Sequence, residues 1–409
     1  MLDHNSVPGL VPPRAAAAAP PAPAGGGFLG NTAKLQATRI HAGSTGVGRG
    51  TIDPETGEIA GIRDAAQCRV ERYSLQSVVR ALLPNSRTAK CLFNFQAQRV
   101  SVDVWRSTEY QRAHYGGLQT CGSVWACPVC AAKISERRRA ELQTLIAAHH
   151  AAGGVVLLVT RTVPHERRDN LEELLDRIAS AEISYKAHRD YKTLVKAFGL
   201  VGRVRAVEVT HGHANGWHPH VHELLFLARA VDLASLEEDL SRIWQGAALR
   251  AGLALPSRAH GLTVQDGSQA AKYASKWGLE SELTQWHRKR GKVASRTPFD
   301  LLRSVLLEDD WQASELFREY AEAFHGRHQL QFSQGLKHRY DIAEVSDAAL
   351  VDRQDADAVL LGVLDLDQWR LVCRANQRGA LLEVAAVSGW FGVVKMLDGL
   401  RRARDRGGP

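Results

Sequence analysis

Trp217-His218-Pro219-His220-Val221-His222-Glu223-Leu224-Leu225-Phe226 is the stretch on which the fold turns. Side chains alternate across an extended strand, so His218, His220 and His222 share one face. Two imidazoles two residues apart on a rigid strand can be aimed at a single cation. Pro219 cannot donate to a sheet ladder, which places this end of the strand at an edge or bulge, open to a ligand. Upstream, Leu200 to Thr210 alternates into another strand. A loop containing Gly212, Asn215 and Gly216 joins the two as a hairpin.

The register of that hairpin decides which residue faces the cation. A two-residue Asn215-Gly216 turn sets Val209 opposite His222 and His211 opposite His220. An odd-length loop, at 213–215 or 212–216, sets Glu208 opposite His220 and pairs Val207 with Val221 and Val209 with Pro219. The second register matches apolar with apolar and is the preferred one. Glu208 then joins His220 and His222 as a third ligand. Two imidazoles and one carboxylate with open positions suit Mn²⁺ or Mg²⁺ on a phosphate. A zinc site built from His218, His220 and His222 is the rival reading.

Outward from the hairpin, Val155 to Thr160 is a β-branched apolar run after Gly153-Gly154 and reads as a buried central strand. Helical periodicity fills about 169–197 and 232–251, and Leu262-Thr263-Val264 is a brief strand. The order β, α, β, β, α, β, α predicts an α+β domain with an antiparallel central sheet and flanking helices, in the ferredoxin-like style. Ser268 can cap a further helix running to about Gly278. On it Gln269, Tyr273 and Lys276 lie along one face. A tyrosine hydroxyl, with an ordinary pKa near ~10, needs help to act as a nucleophile at neutral pH. Lys276 or a metal cation would favour the phenolate.

Six cysteines in a chain of 409 residues do not make a secreted disulfide scaffold. Cys121, Cys127 and Cys130 stand at knuckle spacing just before a helix expected from about Ala131 to His150. Structural zinc wants four ligands. Cys91, in a strand-like segment upstream, is the choice for the fourth, with His114 in reserve.

His220-Val221-His222 followed by Tyr273 and Lys276 resembles the HUH endonucleases, and Thr160-Arg161-Thr162 sits where that superfamily keeps its first motif. Together with the stretches 120–134, 296–299 and 326–330, these residues resemble the rolling-circle replication initiators (Rep proteins) of bacterial plasmids, over about 85–340. The resemblance implies that Tyr273 attacks a phosphodiester at the plasmid's double-strand origin, keeps the 5′ phosphate and leaves a 3′ hydroxyl that primes synthesis. It implies His220, His222 and Glu208 as ligands of the catalytic metal, and host helicase and DNA polymerase as partners. Some relatives carry Glu four residues before the tyrosine to release the strand at termination. Gln269 stands there in this chain and cannot act as a base. Either a second subunit's Tyr273, hence a dimer, or a carboxylate such as Asp266 must then end the reaction. A relaxase or transposase of the same superfamily, and a non-catalytic zinc-dependent DNA-binding regulator, are the competing readings.

The formal charge of +8 fits a polyanionic partner such as DNA. Trp286, Arg288, Lys289 and Arg290 form one candidate surface, an aromatic to stack a base among cations to hold phosphates. Arg137 and Arg138, on the helix behind the cysteines, form a second. Residues 1–75, rich in Ala, Pro and Gly, read as a disordered tail. The remaining divisions are a knuckle segment and basic helix at 76–150, an endonuclease domain at 151–340 and a helical region at 341–409. With no secretory start and no long apolar stretch, the reading is a cytoplasmic protein away from membranes.

Overall fold

Gly153, at φ +81°, turns the chain out of a long helix and into the apolar run that follows. That run is β3 (Val155–Arg161). The computed structural model describes residues 65–267, 295–352 and 357–407, all within one compact unit, Arg49–Gly408. Gln269, Tyr273, Lys276, Trp286, Arg288, Lys289 and Arg290 lie outside the described residues.

The chain enters through helices α1 (Ala65–Leu82) and α2 (Arg87–Lys90) and strands β1 (Val102–Ser107) and β2 (Ala113–Gly116). Helix α3 (Pro128–Ala151) follows, with Cys127 as its N-cap and Pro128 in its first turn, where a missing N–H costs nothing. After β3 come α4 (Leu171–Ala187), α5 (Arg189–Ala197), β4 (Leu200–Gly212), β5 (Gly216–Leu227), α6 (Leu233–Arg250) and β6 (Leu262–Asp266). Asn170 and Asp232 cap α4 and α6 by accepting from the backbone three residues on. Strands β7 (Ser295–Arg296) and β8 (Leu330–Phe332) close the list around α7 (Pro298–Glu308) and α8 (Trp311–Ala323).

The strands run β6-β3-β5-β4-β7, with β8 also on β4, and every pairing is antiparallel. On one face Leu157, Val159, Val221 and Leu225 pack against Leu174 and Ile178 of α4 and Leu240 and Trp244 of α6. On the other, Val156, Leu158, Leu224 and Phe226 meet Leu142, Leu145 and Ile146 of α3. His222, His220 and His218 continue this second face beyond the α3 contact. The antiparallel α+β expectation holds.

The C-terminal residues are not a separate region. Beyond α9 (Leu336–Arg339) and α10 (Asp347–Asp352), β9 (Ala358–Leu364) pairs with β1 in a sheet ordered β2-β1-β9. Helices α11 (Leu366–Arg374) and α12 (Arg378–Asp405) complete the packing. Trp369, Leu381 and Val393 share one core with Leu75, Val79 and Val102. Arg378, fully buried, donates to Gln76 Oε1 (2.7 Å) and to the carbonyls of Tyr73 and Leu92. Residues 76–150 and 341–409, expected as two units, are therefore built together. Helix α1 also begins at Ala65, inside the stretch expected as tail.

Helix α12 is long and apolar enough to cross a membrane by length and composition, although Glu383 and Lys395 break its apolar run. A third of its apolar window is buried in the fold, and Gly389 (φ 59°, ψ −157°) interrupts it.

Candidate functional site

Residues 213–215 join β4 to β5, with Gly212 opposite Gly216. Gly216 has φ +74°, and a Cβ there would sit 2.9 Å from the Arg167 backbone, so only glycine fits this turn. The odd loop sets the expected register: Val207 pairs with Val221, Glu208 with His220 and Val209 with Pro219. Strand β3 ends at Arg161, opposite Val221. Pro219 thus lies where β5 has lost its neighbour on one side, although β5 is central elsewhere.

His222 is held at both ring nitrogens. Its Nδ1 lies 3.0 Å from Thr160 Oγ1, and its Nε2 lies 3.2 Å from Glu208 Oε2. His220 stands parallel to it, centroids 6.0 Å apart and planes 7° apart. His218 stacks on His220 at 4.1 Å, and His165 meets His218 edge-on at 4.4 Å. Burial, with neighbouring imidazoles adding to it, lowers His220 below the ordinary histidine range and brings His218 to about 4. Both are therefore neutral near pH 7, the state in which an imidazole ligates. Buried His220 Nδ1 and His165 Nε2 have no hydrogen-bond partner among the described residues, and an unpaired buried donor or acceptor is costly. His165, in the loop after β3, went unnoticed in the sequence because nothing local ties it to the row.

Beneath the row, on the helix-covered face, Arg161 is 1% exposed. It donates to Glu223 (2.7 Å) and Glu182 (2.8 Å) and lies over the Tyr185 ring. Burial opposes its charge, but Glu223 and Glu182 outweigh that and raise its pKa. Glu223 is correspondingly held below the usual carboxylate range despite its burial. Residues 160 and 161 thus point to opposite faces, one toward the histidines and one into a closed ion cluster.

The four cysteines form a separate centre. The sulfurs of Cys91, Cys121, Cys127 and Cys130 all lie within 4.8 Å of one another, and all four residues are buried. Among the described residues this is the one group in which at least three His, Cys, Asp or Glu donors come so close. His114, on β2, is not part of it. Gln76 Nε2 donates to Cys127 Sγ (3.3 Å), and the Ser123 N–H donates to Cys121 Sγ (3.4 Å). Hydrogen bonding with Cys127 and the other thiols pushes Cys121 well below the usual thiol range.

The two downstream motifs of the resemblance serve the frame. Thr297 and Asp300 form a capping box at the start of α7, and Arg296 pairs with His211 of β4. The Arg327 carbonyl accepts from Trp125 Nε1 (2.7 Å), tying 326–330 to the cysteine segment. Arg138 is not the open phosphate contact expected of it. Its guanidinium donates to Asp347 (2.6 Å), Glu141 (2.8 Å) and the Val345 carbonyl. Arg137, on the same helix, is partly buried.

The fold and site define an α+β protein whose antiparallel sheet carries a histidine–glutamate row, with a four-cysteine group beside its first long helix. Residues 117–233 match the family model described as replication protein. The chain is 28% identical to the protein named "Protein rep" of Streptomyces lividans, over 63% of this chain and 73% of that one. It is 31% identical to a "Neomycin resistance protein" of Streptomyces cyanogenus, over 27% of this chain and 31% of that one. No solved structure matches. These matches make the chain similar to replication (Rep) proteins, the family the motifs resemble.

Proposed function

We propose that this chain initiates rolling-circle replication by nicking one strand of a plasmid's double-strand origin, and rejoins that strand at termination. The observation that carries the reading is the placing of Glu208, His220 and His222 together at the end of one sheet face, beyond its contact with α3. The strand order β6-β3-β5-β4 is fourth-first-third-second when counted from β3. That order supports a ferredoxin-like, HUH-type reading of the domain.

The donor set fits a catalytic Mn²⁺ or Mg²⁺. His220 carries an unpartnered buried Nδ1, and Glu208 sets a carboxylate against His222 Nε2. Such a cation, when bound, would polarise a phosphoryl oxygen and offset charge developing in the transition state. On the resemblance, Tyr273 is the nucleophile and Lys276 favours its phenolate. The tyrosine oxygen bonds to phosphorus, the bond to the 3′ oxygen breaks, and that oxygen leaves as the primer hydroxyl. The 5′ phosphate stays on Tyr273. The cysteine group fits structural zinc. A tetrahedral ion with bonds of ~2.3 Å sets sulfurs about 3.8 Å apart, and three of the sulfur pairs lie at 3.5–3.7 Å. Phosphates and bases would be held by Arg137 and by Trp286, Arg288, Lys289 and Arg290. A second copy is the preferred source of the terminating tyrosine, and host helicase and polymerase are the expected partners in the cytoplasm.

The test is cleavage of labelled single-stranded origin DNA in Mn²⁺. His220→Ala and His222→Ala should each lose cleavage by ~10²-fold or more while retaining DNA binding. Glu208→Ala should need more Mn²⁺ for the same rate. A metal-independent rate in the wild type, or variants that cut normally, would contradict the metal reading, and a wild type that binds the DNA without cutting it would leave a DNA-binding regulator as the better account.

A further inference from the structure

Thr160 closes β3 beside the histidine row, and the resemblance attaches no role to it. We propose that Thr160 is a positioning residue for His222, its hydroxyl holding the ring orientation that aims Nε2 at Glu208 and accepting from Nδ1–H when Nε2 takes up a cation. The inference rests on the reading of His222 as a metal ligand, and deepens it.

The geometry carries this from three sides. First, Thr160 is directly opposite His222 across the β3–β5 ladder, with Oγ1 at 3.0 Å from Nδ1. Second, the far nitrogen of the same ring faces Glu208 Oε2 at 3.2 Å. Third, Thr160 is paired on its other side with Thr263 of β6, so its backbone is held from both edges. A β-branched side chain on such a strand is stiff at χ1, which makes its hydroxyl a fixed partner.

An imidazole ring can flip about its last torsion, which has a broad two-fold preference. It can also place its proton on either nitrogen, and a hydrogen bond at one nitrogen sets the state of the other. Without an ion, Nε2–H donates to the Glu208 carboxylate and Nδ1 accepts from Thr160; when a cation replaces that proton, Nδ1–H donates to Thr160 Oγ1 and holds the Nε2 lone pair on the ion. Partners of this kind typically change metal affinity by ~10–100-fold when removed. Arg161 cannot share this task, because its side chain lies in the ion cluster on the opposite face. The two consecutive residues thus divide the work between site and scaffold.

The experiment uses the full-length protein stripped of Mn²⁺. Mn²⁺ binding is followed by the loss of the free-ion electron paramagnetic resonance signal, without DNA. Long-range ¹H–¹⁵N spectra of ¹⁵N-histidine protein, with His222→Ala assigning the peak, report the tautomer. In the wild type with diamagnetic Mg²⁺ bound, His222 should carry its proton on Nδ1. Thr160→Val, which keeps the shape and removes the hydroxyl, should bind Mn²⁺ at least ~10-fold more weakly and show a mixed tautomer. Thr160→Ser should restore both, and Thr263→Val, on the neighbouring strand, should change neither. A wild-type His222 that keeps its proton on Nε2 with Mg²⁺ bound overturns the proposal whatever the variants do, including a Thr160→Val that fails to fold. Equal Mn²⁺ affinity in Thr160→Val and wild type overturns it also, if His222→Ala has lost binding. Should His222→Ala bind Mn²⁺ normally, the metal reading itself falls and takes the role of Thr160 with it.

Discussion

Arg161→Met is expected to cost about 3–5 kcal/mol of folding stability, the range for breaking a buried ion pair from one side. The side chains of Arg161 and Glu223 are fully buried and that of Glu182 is 5% exposed. Removing the guanidinium leaves fully buried Glu223 with only Lys186 at 3.5 Å and Arg203 at 3.9 Å, while Glu182 keeps Arg205 at 2.5 Å. By contrast the exposed pair Arg177–Glu173, with side chains 51% and 68% exposed, should be worth well under 1 kcal/mol. Urea unfolding of both variants measures the difference. A loss below about 1 kcal/mol for Arg161→Met would mean that the cluster does not hold the sheet.

The cysteine centre should matter as much. If the cysteine centre holds zinc as proposed, Cys127→Ser is expected to release it and to unfold the segment that contains it, because binding of structural zinc is largely folding free energy. All four cysteines belong to the core shared by α1, α3, β1 and the C-terminal helices. Loss of the ion should therefore reach residues near 380 as well as those near 120. Zinc content by elemental analysis, with hydrogen exchange of both regions after chelation, checks this. Protein purified without chelator that holds no zinc, or exchange that leaves residues 378–397 protected, would contradict the account.

What could be read from the sequence was whatever short-range chemistry controls. Gly216 and an odd loop, with valines falling on valine and proline, made the register of β4 and β5 readable before any coordinates. Knuckle spacing made Cys121, Cys127 and Cys130 a group, and Cys91, preferred to His114 as the fourth donor, stands with them. Long-range partners were not readable. Strand β9, Ala-Val-Leu-Leu-Gly-Val-Leu, is an apolar run with no periodicity to separate strand from helix, and its partner β1 lies some 250 residues earlier. Arg138 looked like an open cation because its acid, Asp347, is equally remote in sequence. Thr160 and His165 reach the histidine row only through the sheet and the loop beyond it. The alternation rule puts Thr160 and Arg161 on opposite faces, but not which face meets the site.

The central claim is that this chain cuts DNA through a tyrosine. The most direct measurement is to incubate it with Mn²⁺ and single-stranded origin DNA labelled on the 3′ side of the nick, digest with protease, and identify the DNA-bearing peptide by mass spectrometry. The account predicts a 5′-phosphotyrosyl bond at Tyr273 and no adduct in Tyr273→Phe, with origin binding nearly unchanged because only the nucleophilic oxygen is gone. An adduct mapped to another residue, or cleavage that proceeds with no covalent intermediate, would contradict it.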